Sequence, residues 1–312
     1  MWQPSMHRPA LEARAELLSR LRQFFEQRKV LEVDVPLLGV TAVTDPHIAS
    51  AEVNIGTQTR YLQTSPEFFM KRLLAAGSGS IYYLGKAVRN DPITSKHNPE
   101  FTMLEWYREG MDDRGLMNEV GALFQFLASD IVLDRVSYRE LFEQHFGFNP
   151  HSISNADLAA EAKKHVDVNW ATEPSSTWFD LLFSHVIEPT LKSPTIVYDY
   201  PACMCALARV EDDSNGDRVA RRFEVFWKGV ELANAYWELS DAGIQRARFE
   251  QDIQQREALG LIQPNIDENL LSALDQGLPD CAGIALGVDR LLMCLLDVKS
   301  IEQVMAFPDS AL

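Results

Sequence analysis

The stretch that most constrains the fold is residues 81–108, IYYLGKAVRNDPITSKHNPEFTMLEWYR. Two β-prone runs, 81–89 and 101–108, flank a polar, Pro-containing loop. The first run is rich in β-branched and aromatic residues and ends on the cation Arg89; the second alternates. Successive side chains of a strand point to opposite faces. Phe101, Met103, Glu105 and Tyr107 are therefore expected on one face, and Thr102, Leu104, Trp106 and Arg108 on the other. A face with a ring, a carboxylate and a phenol, beside a loop carrying Arg89, Lys96 and His97, suits a small-molecule site. The same residues also fit a surface hairpin with a solvated loop, and spacing alone does not separate the two readings.

The 312 residues allow one large domain or two modest ones, and a hydrophobic content of 46% is enough for a core without covalent staples. There is no run of about 18 apolar residues, which argues against a membrane span. The N-terminal MWQPSMHRPALEARAE lacks an apolar signal core, so the expected address is cytoplasmic. Cys203 and Cys205 are one residue apart, too close for the usual zinc or redox spacing. With Cys281 and Cys294 they are expected to be buried small hydrophobes. A net charge of −16, from 29 basic against 45 acidic residues, argues against extensive nucleic-acid binding and suits a cationic substrate.

Elsewhere, apolar Leu17, Leu18, Leu21, Phe24 and Phe25 predict a helix over 10–29, followed by an alternating strand over 30–36 that Pro36 stops. Thr64-Ser65-Pro66-Glu67 opens a helix over 68–76. Ser65 suits a cap, Pro66 the first helical position and Glu67 the positive helix end, so capping alone explains all three. A mainly helical stretch near 112–192 reads as an insertion. Its predicted helices lie at 116–127, after the Ser137–Glu140 capping box, at 156–166 and at 176–187, and none carries a chemical constellation. A strand over 195–200 precedes a hairpin, 223–227 and 230–237, around Lys228-Gly229.

A two-residue turn there would pair Trp227 with Val230 and Phe226 with Glu231. Glu224 and Glu231 would then be diagonal neighbours about 7–8 Å apart. Two carboxylates so placed suit one Mg²⁺ shared with phosphate oxygens, although two solvated acids fit as well. Strict alternation sends Asn234 and Glu238 to the face opposite Glu231, so a common site requires a bulge between Glu231 and Asn234. After helices over 242–259 and 268–275, a small-residue strand from Cys281 runs into an apolar helix. Gly283 and Gly287 there allow close approach. Arg290 at the start of that helix opposes its dipole, which points to an anionic partner. Neither a GxGxxG nor a P-loop sequence occurs.

These segments resemble the class II aminoacyl-tRNA synthetases, and within them the lysyl branch. The helix and strand ending at Pro36 are similar to motif 1, the dimer element. Val88-Arg89-Asn90-Asp91 through HNPEFTMLE is similar to motif 2, and Gly283 to Arg290 to motif 3. HNPEFTMLE is specific to the lysyl branch, and the resemblance covers nearly the whole chain. It implies an α+β fold, a class II synthetase-like catalytic domain with an antiparallel sheet flanked by helices. A single domain over 1–312 is expected, with no anticodon-binding domain, because the first strand begins near Val30. With the acidic balance, this implies no stable tRNA binding. The chain thus resembles the freestanding paralogues, the elongation factor P–(R)-β-lysine ligases. These activate β-lysine with ATP and join it to a lysine side chain of elongation factor P.

The roles that follow are implied by the resemblance. Arg89 matches the arginine that grips the α-phosphate, with Asn90 and Asp91 beside it. His97 and Asn98 lie where the motif 2 loop meets ATP, Phe101 stacks on adenine, and Arg290 lies near adenine and the γ-phosphate. Leu232 and Gly287 join the ATP contacts, and Glu224 and Glu231 hold Mg²⁺. Ser65, Pro66 and Glu67 form the amino-acid loop. Glu105, Tyr107, Asn234 and Glu238 line the lysine pocket, where Tyr107 and Glu238 receive the distal ammonium. Two departures stand out. Asp91 replaces the usual glutamate with a side chain one methylene shorter, and Ala285 replaces the glycine of lysyl-tRNA synthetases. The added methyl implies a preference for a shifted amine, worth about 1–3 kcal/mol. A homodimer away from membranes is expected. Charging of tRNA or another carrier, or a non-catalytic amino-acid sensor, are the alternatives. The survival of Arg89, Glu224, Glu231 and Arg290 argues against the sensor.

Overall fold

The computed structural model describes residues 2–170 and 173–312, in two compact units: Met1–Asp112 with Leu239–Leu312, and Asp113–Glu238.

In the first unit, alternation in the opening stretch produces the antiparallel strands Ile81–Val88 and Glu100–Glu109, with Tyr83 opposite Glu105. Cys281–Gly287 pairs antiparallel on the other side, Ala285 opposite Glu105. One face of these strands is apolar core. The helix Arg8–Gln27 buries Leu17, Leu21, Phe24 and Phe25. Phe25 stacks on Tyr82 at 4.5 Å and meets the edge of Trp106 at 5.3 Å. That packing commits Tyr82 and Trp106 inward and so sends Glu105 and Tyr107 to the opposite face. The strand expected over 30–36 is shorter, Leu31–Glu32, parallel to Ile81–Val88. One further bond, Val33 N–H to the Tyr82 carbonyl at 2.8 Å, precedes Pro36, which has no N–H with which to extend the pairing. A separate sheet of Leu38–Gly39, Gln58–Leu62 and Glu52–Ile55 leads into the helix Glu67–Ala75, on which Glu268–Gly277 packs.

A buried ion pair fixes the register of this unit. Asp289, 1% exposed, opens the helix Val288–Leu296. Its Oδ2 accepts the Thr102 N–H at 2.6 Å and its Oδ1 accepts Arg14 at 2.6 Å. Arg14 also donates to Thr102 Oγ1 at 2.7 Å and to the Val304 carbonyl at 3.0 Å. Three segments are thereby tied to the strand that carries Glu105. Arg14→Ala would leave the Asp289 carboxylate buried without this cation, a loss of about 3 kcal/mol. Urea unfolding should show a correspondingly lower midpoint; an unchanged midpoint would refute the role of the pair.

In the second unit, Val230–Trp237, Arg218–Trp227, Thr195–Pro201 and Asp134–Ser137 are neighbours in that order. The first two pairings are antiparallel and the last is parallel, and Val210–Asp212 adds to the start of Arg218–Trp227. The expected capping box forms: Ser137 Oγ accepts the Glu140 N–H, and Glu140 accepts the Ser137 N–H. The helix expected over 176–187 ends at Leu182 and continues as a wider π turn, Phe183–Ile187. This turn brings Phe183 parallel to Tyr138 at 5.6 Å. Tyr138, Phe142, Trp178, Phe179 and Tyr200 complete an aromatic core.

Cys281 and Cys294 are buried as expected, but Cys203 is exposed and Cys205 half-buried. They lie on the turn that follows Pro201 rather than in a strand, so the expectation that all four are core residues fails for this pair. No helix among the described residues is long and apolar enough to cross a membrane.

Candidate active site

On the open face of the first unit the registers set side chains in rows. Tyr107 lies between Ile81 and Gly283, Glu105 between Tyr83 and Ala285, and Met103 between Gly85 and Gly287, while Phe101 pairs with Ala87. Gly85, Gly283, Ala285 and Gly287 put little side chain beside the middle strand, and Met103, Glu105 and Tyr107 are all buried. Glu105 is 1% exposed and held from two sides. Its Oε2 accepts the Ser65 hydroxyl at 2.6 Å, and its Oε1 accepts the Tyr107 hydroxyl at 2.7 Å. Ser65 Oγ in turn accepts the Glu67 N–H at 3.1 Å. Ser65 thus ties the entry of the helix to Glu105. Pro66 is the N-cap rather than the first helical residue, which is Glu67, and Glu67 pairs with the buried Lys71 at 2.7 Å. A carboxylate oriented by hydroxyl donors in a dry setting is an acceptor suited to an ammonium ion.

Arg89 and Phe101 come together at the far end of the same strands. The guanidinium lies 5.4 Å from the ring centroid, and its Nε donates to the Thr64 carbonyl at 3.3 Å. The Asn90 N–H is taken by the Ala49 carbonyl at 2.8 Å, and Asp91 is half-buried just past the strand end. Arg290 donates to His97 Nε2 at 2.6 Å and to the Lys96 carbonyl at 3.2 Å. Because arginine only donates, Nε2 accepts, which places the imidazole proton on Nδ1, 2.8 Å from Thr94 Oγ1. Asn98 is used differently: its amide donates to the Glu100 carbonyl at 2.7 Å and accepts the Asp309 N–H at 2.9 Å, pinning the last turn of the chain. Gly287 begins the helix that carries Arg290.

The second unit presents its own polar face. Lys228 and Gly229 have φ of 56° and 68°, as a tight hairpin turn of mirror-image type requires. Trp227 pairs with Val230 and Phe226 with Glu231, as expected. The bulge is present: Val225 pairs with Ala233, so Leu232 is the extra residue and Glu224 faces Asn234. Beyond it, alternation places Asn234, Tyr236 and Glu238 on the face of Glu224 and Glu231.

Arg222, which the sequence reading passed over, organises this face. It is 7% exposed, donates to the Glu224 carboxylate, and donates to Asn234 Oδ1 at 3.0 Å and the Met204 carbonyl at 2.8 Å. Its guanidinium lies 4.6 Å from the Tyr200 ring centroid and 5.4 Å from that of Tyr236. Alternation back from Glu224 was the signal that could have found it. Tyr200 donates its hydroxyl to Glu224 Oε2 at 2.8 Å. Burial pushes the Glu224 carboxyl up to about 7; Arg222 opposes that shift and Glu231 adds to it. Glu238 is buried, and its carbonyl accepts Arg209 Nε at 2.8 Å.

Among the described residues, no group of three or more His, Cys, Asp or Glu could by itself hold a metal ion. The two carboxylates Glu224 and Glu231 on one face are hard donors of the kind Mg²⁺ takes when phosphates supply its remaining ligands. The raised proton affinity of Glu224 is what a bound cation would reverse. The donor set therefore fits the ion.

Residues 2–311 match the model of the class II tRNA synthetases (D, K and N). The chain belongs to this family. Within it, the chain is 45% identical to the elongation factor P–(R)-β-lysine ligase of Mannheimia succiniciproducens, over 98% of this chain and 97% of that protein. The proteins of the same name from Pasteurella multocida and Haemophilus influenzae are 44% and 43% identical, with the same coverage. The expected α+β class is thus that of a class II synthetase. Antiparallel pairs lie at the centre of each unit's strands, with a parallel pair at one edge of each.

Proposed function

We propose that the chain is an ATP-dependent ligase that activates (R)-β-lysine as its adenylate and transfers it to a lysine side chain of elongation factor P. The observation that carries this reading is the buried Glu105 carboxylate, aimed by Ser65 and Tyr107 on a floor whose neighbouring strand supplies Ala285. The names of relatives 42–45% identical over 98% of the chain support the acceptor.

Glu105 and Tyr107 bind an ammonium group of the substrate; Asn234 and Glu238 are assigned to the substrate by the resemblance alone. Glu67 and Ser65 hold its amino-acid end. The substrate carboxylate attacks the α-phosphorus of ATP, and pyrophosphate leaves. Arg89 grips the α-phosphate through its planar fork while Arg290 meets the departing phosphates, so positive charge stands where negative charge develops. Phe101 stacks on the adenine, and Asn90, Asp91, His97, Asn98, Leu232 and Gly287 line the nucleotide. Glu224 and Glu231 would hold Mg²⁺, which when bound neutralises phosphate charge. The free amine of the acceptor lysine then attacks the adenylate carbonyl, and AMP leaves. A homodimer through the motif 1 segment, where Leu31 is exposed, and a cytoplasmic setting without stable tRNA binding complete the proposal.

ATP–pyrophosphate exchange tests the first step. Exchange should be faster with (R)-β-lysine than with α-lysine; equal or reversed rates would overturn the substrate assignment. Ala285→Gly removes the methyl beside Glu105. It should shift the ratio of the two kcat/KM values toward α-lysine by about tenfold or more. An unchanged ratio would acquit Ala285 of a part in selectivity.

A further inference from the structure

Tyr83 belongs to none of the roles assigned above, yet it stands in the row of Glu105. Its ring is folded along its own strand. A Cβ added at Gly85 would fall 2.4 Å from both Cζ and the hydroxyl oxygen of Tyr83, and 3.0 Å from Cε1. Gly85 has an ordinary extended backbone, so what demands glycine here is the space the tyrosine ring occupies. The ring is 8% exposed. Its hydroxyl donates to the Lys86 carbonyl at 3.0 Å and accepts the Gln63 side-chain amide at 3.3 Å. Burial raises the phenol's pKa and the neighbouring Asp34 and Glu105 add to it, so the hydroxyl stays a neutral donor.

Gln63 is itself buried. It lies two residues before Ser65, and its backbone joins two strands: its N–H bonds the Leu37 carbonyl at 2.9 Å and its carbonyl accepts the Val88 N–H at 2.9 Å. A continuous path therefore runs from Gly85 through the Tyr83 ring and hydroxyl to Gln63, then along the chain to Ser65 and its 2.6 Å bond to Glu105. We infer that Tyr83 is a positioning residue for the amino-acid half of the reaction. It fills the space over Gly85 and fastens Gln63, so that residues 63–67 offer Ser65 to Glu105 in one arrangement. The ring acts through Gln63 and Ser65 and needs no contact with the nucleotide. This role rests on the ligase reading above.

Exchange kinetics of the full chain, with thermal unfolding measured alongside, test it. Tyr83→Phe keeps the ring and removes the hydroxyl; Gln63→Leu removes the partner amide. Each should raise the KM for (R)-β-lysine five- to tenfold while the KM for ATP stays within twofold of wild type. The double variant should be no worse than the worse single one, because both cut the same tie. Gly85→Ala, which keeps both groups but displaces the ring, should give the same split. Failure of the wild-type protein to exchange with any lysine isomer would overturn the ligase reading and this role with it. Wild-type exchange would leave the reading standing. In that case, an amino-acid KM within twofold of wild type in Tyr83→Phe, an equal rise in both KM values, or multiplying effects in the double variant would overturn the role of Tyr83 alone.

Discussion

Arg89→Ala is expected to lower kcat for ATP–pyrophosphate exchange about a thousandfold, the upper end of what a single preorganised donor supplies to a developing negative charge. The protein itself depends little on this guanidinium. Its side chain makes a 3.3 Å bond to the Thr64 carbonyl and lies 5.4 Å from the Phe101 ring, both replaceable by water. Thermal unfolding should therefore move little, which separates a catalytic loss from a folding one. Lysine should rescue poorly, because a point charge cannot reproduce the two parallel bonds of a planar fork. A kcat within tenfold of wild type, in either variant, would contradict the assignment of Arg89 to the α-phosphate.

Glu105→Gln is expected to raise the KM for (R)-β-lysine by on the order of a hundredfold while leaving the KM for ATP within twofold. The substitution conserves shape. Glutamine keeps one acceptor oxygen, and the hydroxyls of Ser65 and Tyr107 can turn to accept from its amide nitrogen. The fold should therefore survive. What disappears is the negative charge that offsets the desolvation of the substrate's ammonium. A charge-assisted bond of this kind contributes about 1.5–3 kcal/mol, and more where water is excluded. An unchanged amino-acid KM would mean that the ammonium binds elsewhere.

The strand face on which Glu105 lies was legible in the sequence. The period-two pattern of 101–108 fixes which side chains share a face, and an aromatic helix on the other face leaves only one orientation. The bulge at Leu232 was legible because Glu231 and Asn234 can share a face only if the chain slips by one residue between them. Contacts that depend on distant partners were not. Arg14 and Asp289 are 275 positions apart, and nothing in either neighbourhood announces the other. Nothing in the sequence around Gly85 announces that the Tyr83 ring lies over it. The strands over 38–62 are short and half-exposed, so they carry little hydrophobic periodicity. Cys203 and Cys205 were misplaced because burial of cysteine is a statistical tendency, and a turn after proline overrides it.

The central claim is that the activated amino acid goes to a protein. Intact-mass measurement of purified elongation factor P, after incubation with this protein, ATP, Mg²⁺ and (R)-β-lysine, tests it most directly. The account predicts a gain of one lysyl residue, dependent on ATP, smaller in yield with α-lysine and absent with Arg89→Ala. Unmodified elongation factor P under conditions where the enzyme exchanges pyrophosphate and charges added tRNA would contradict it.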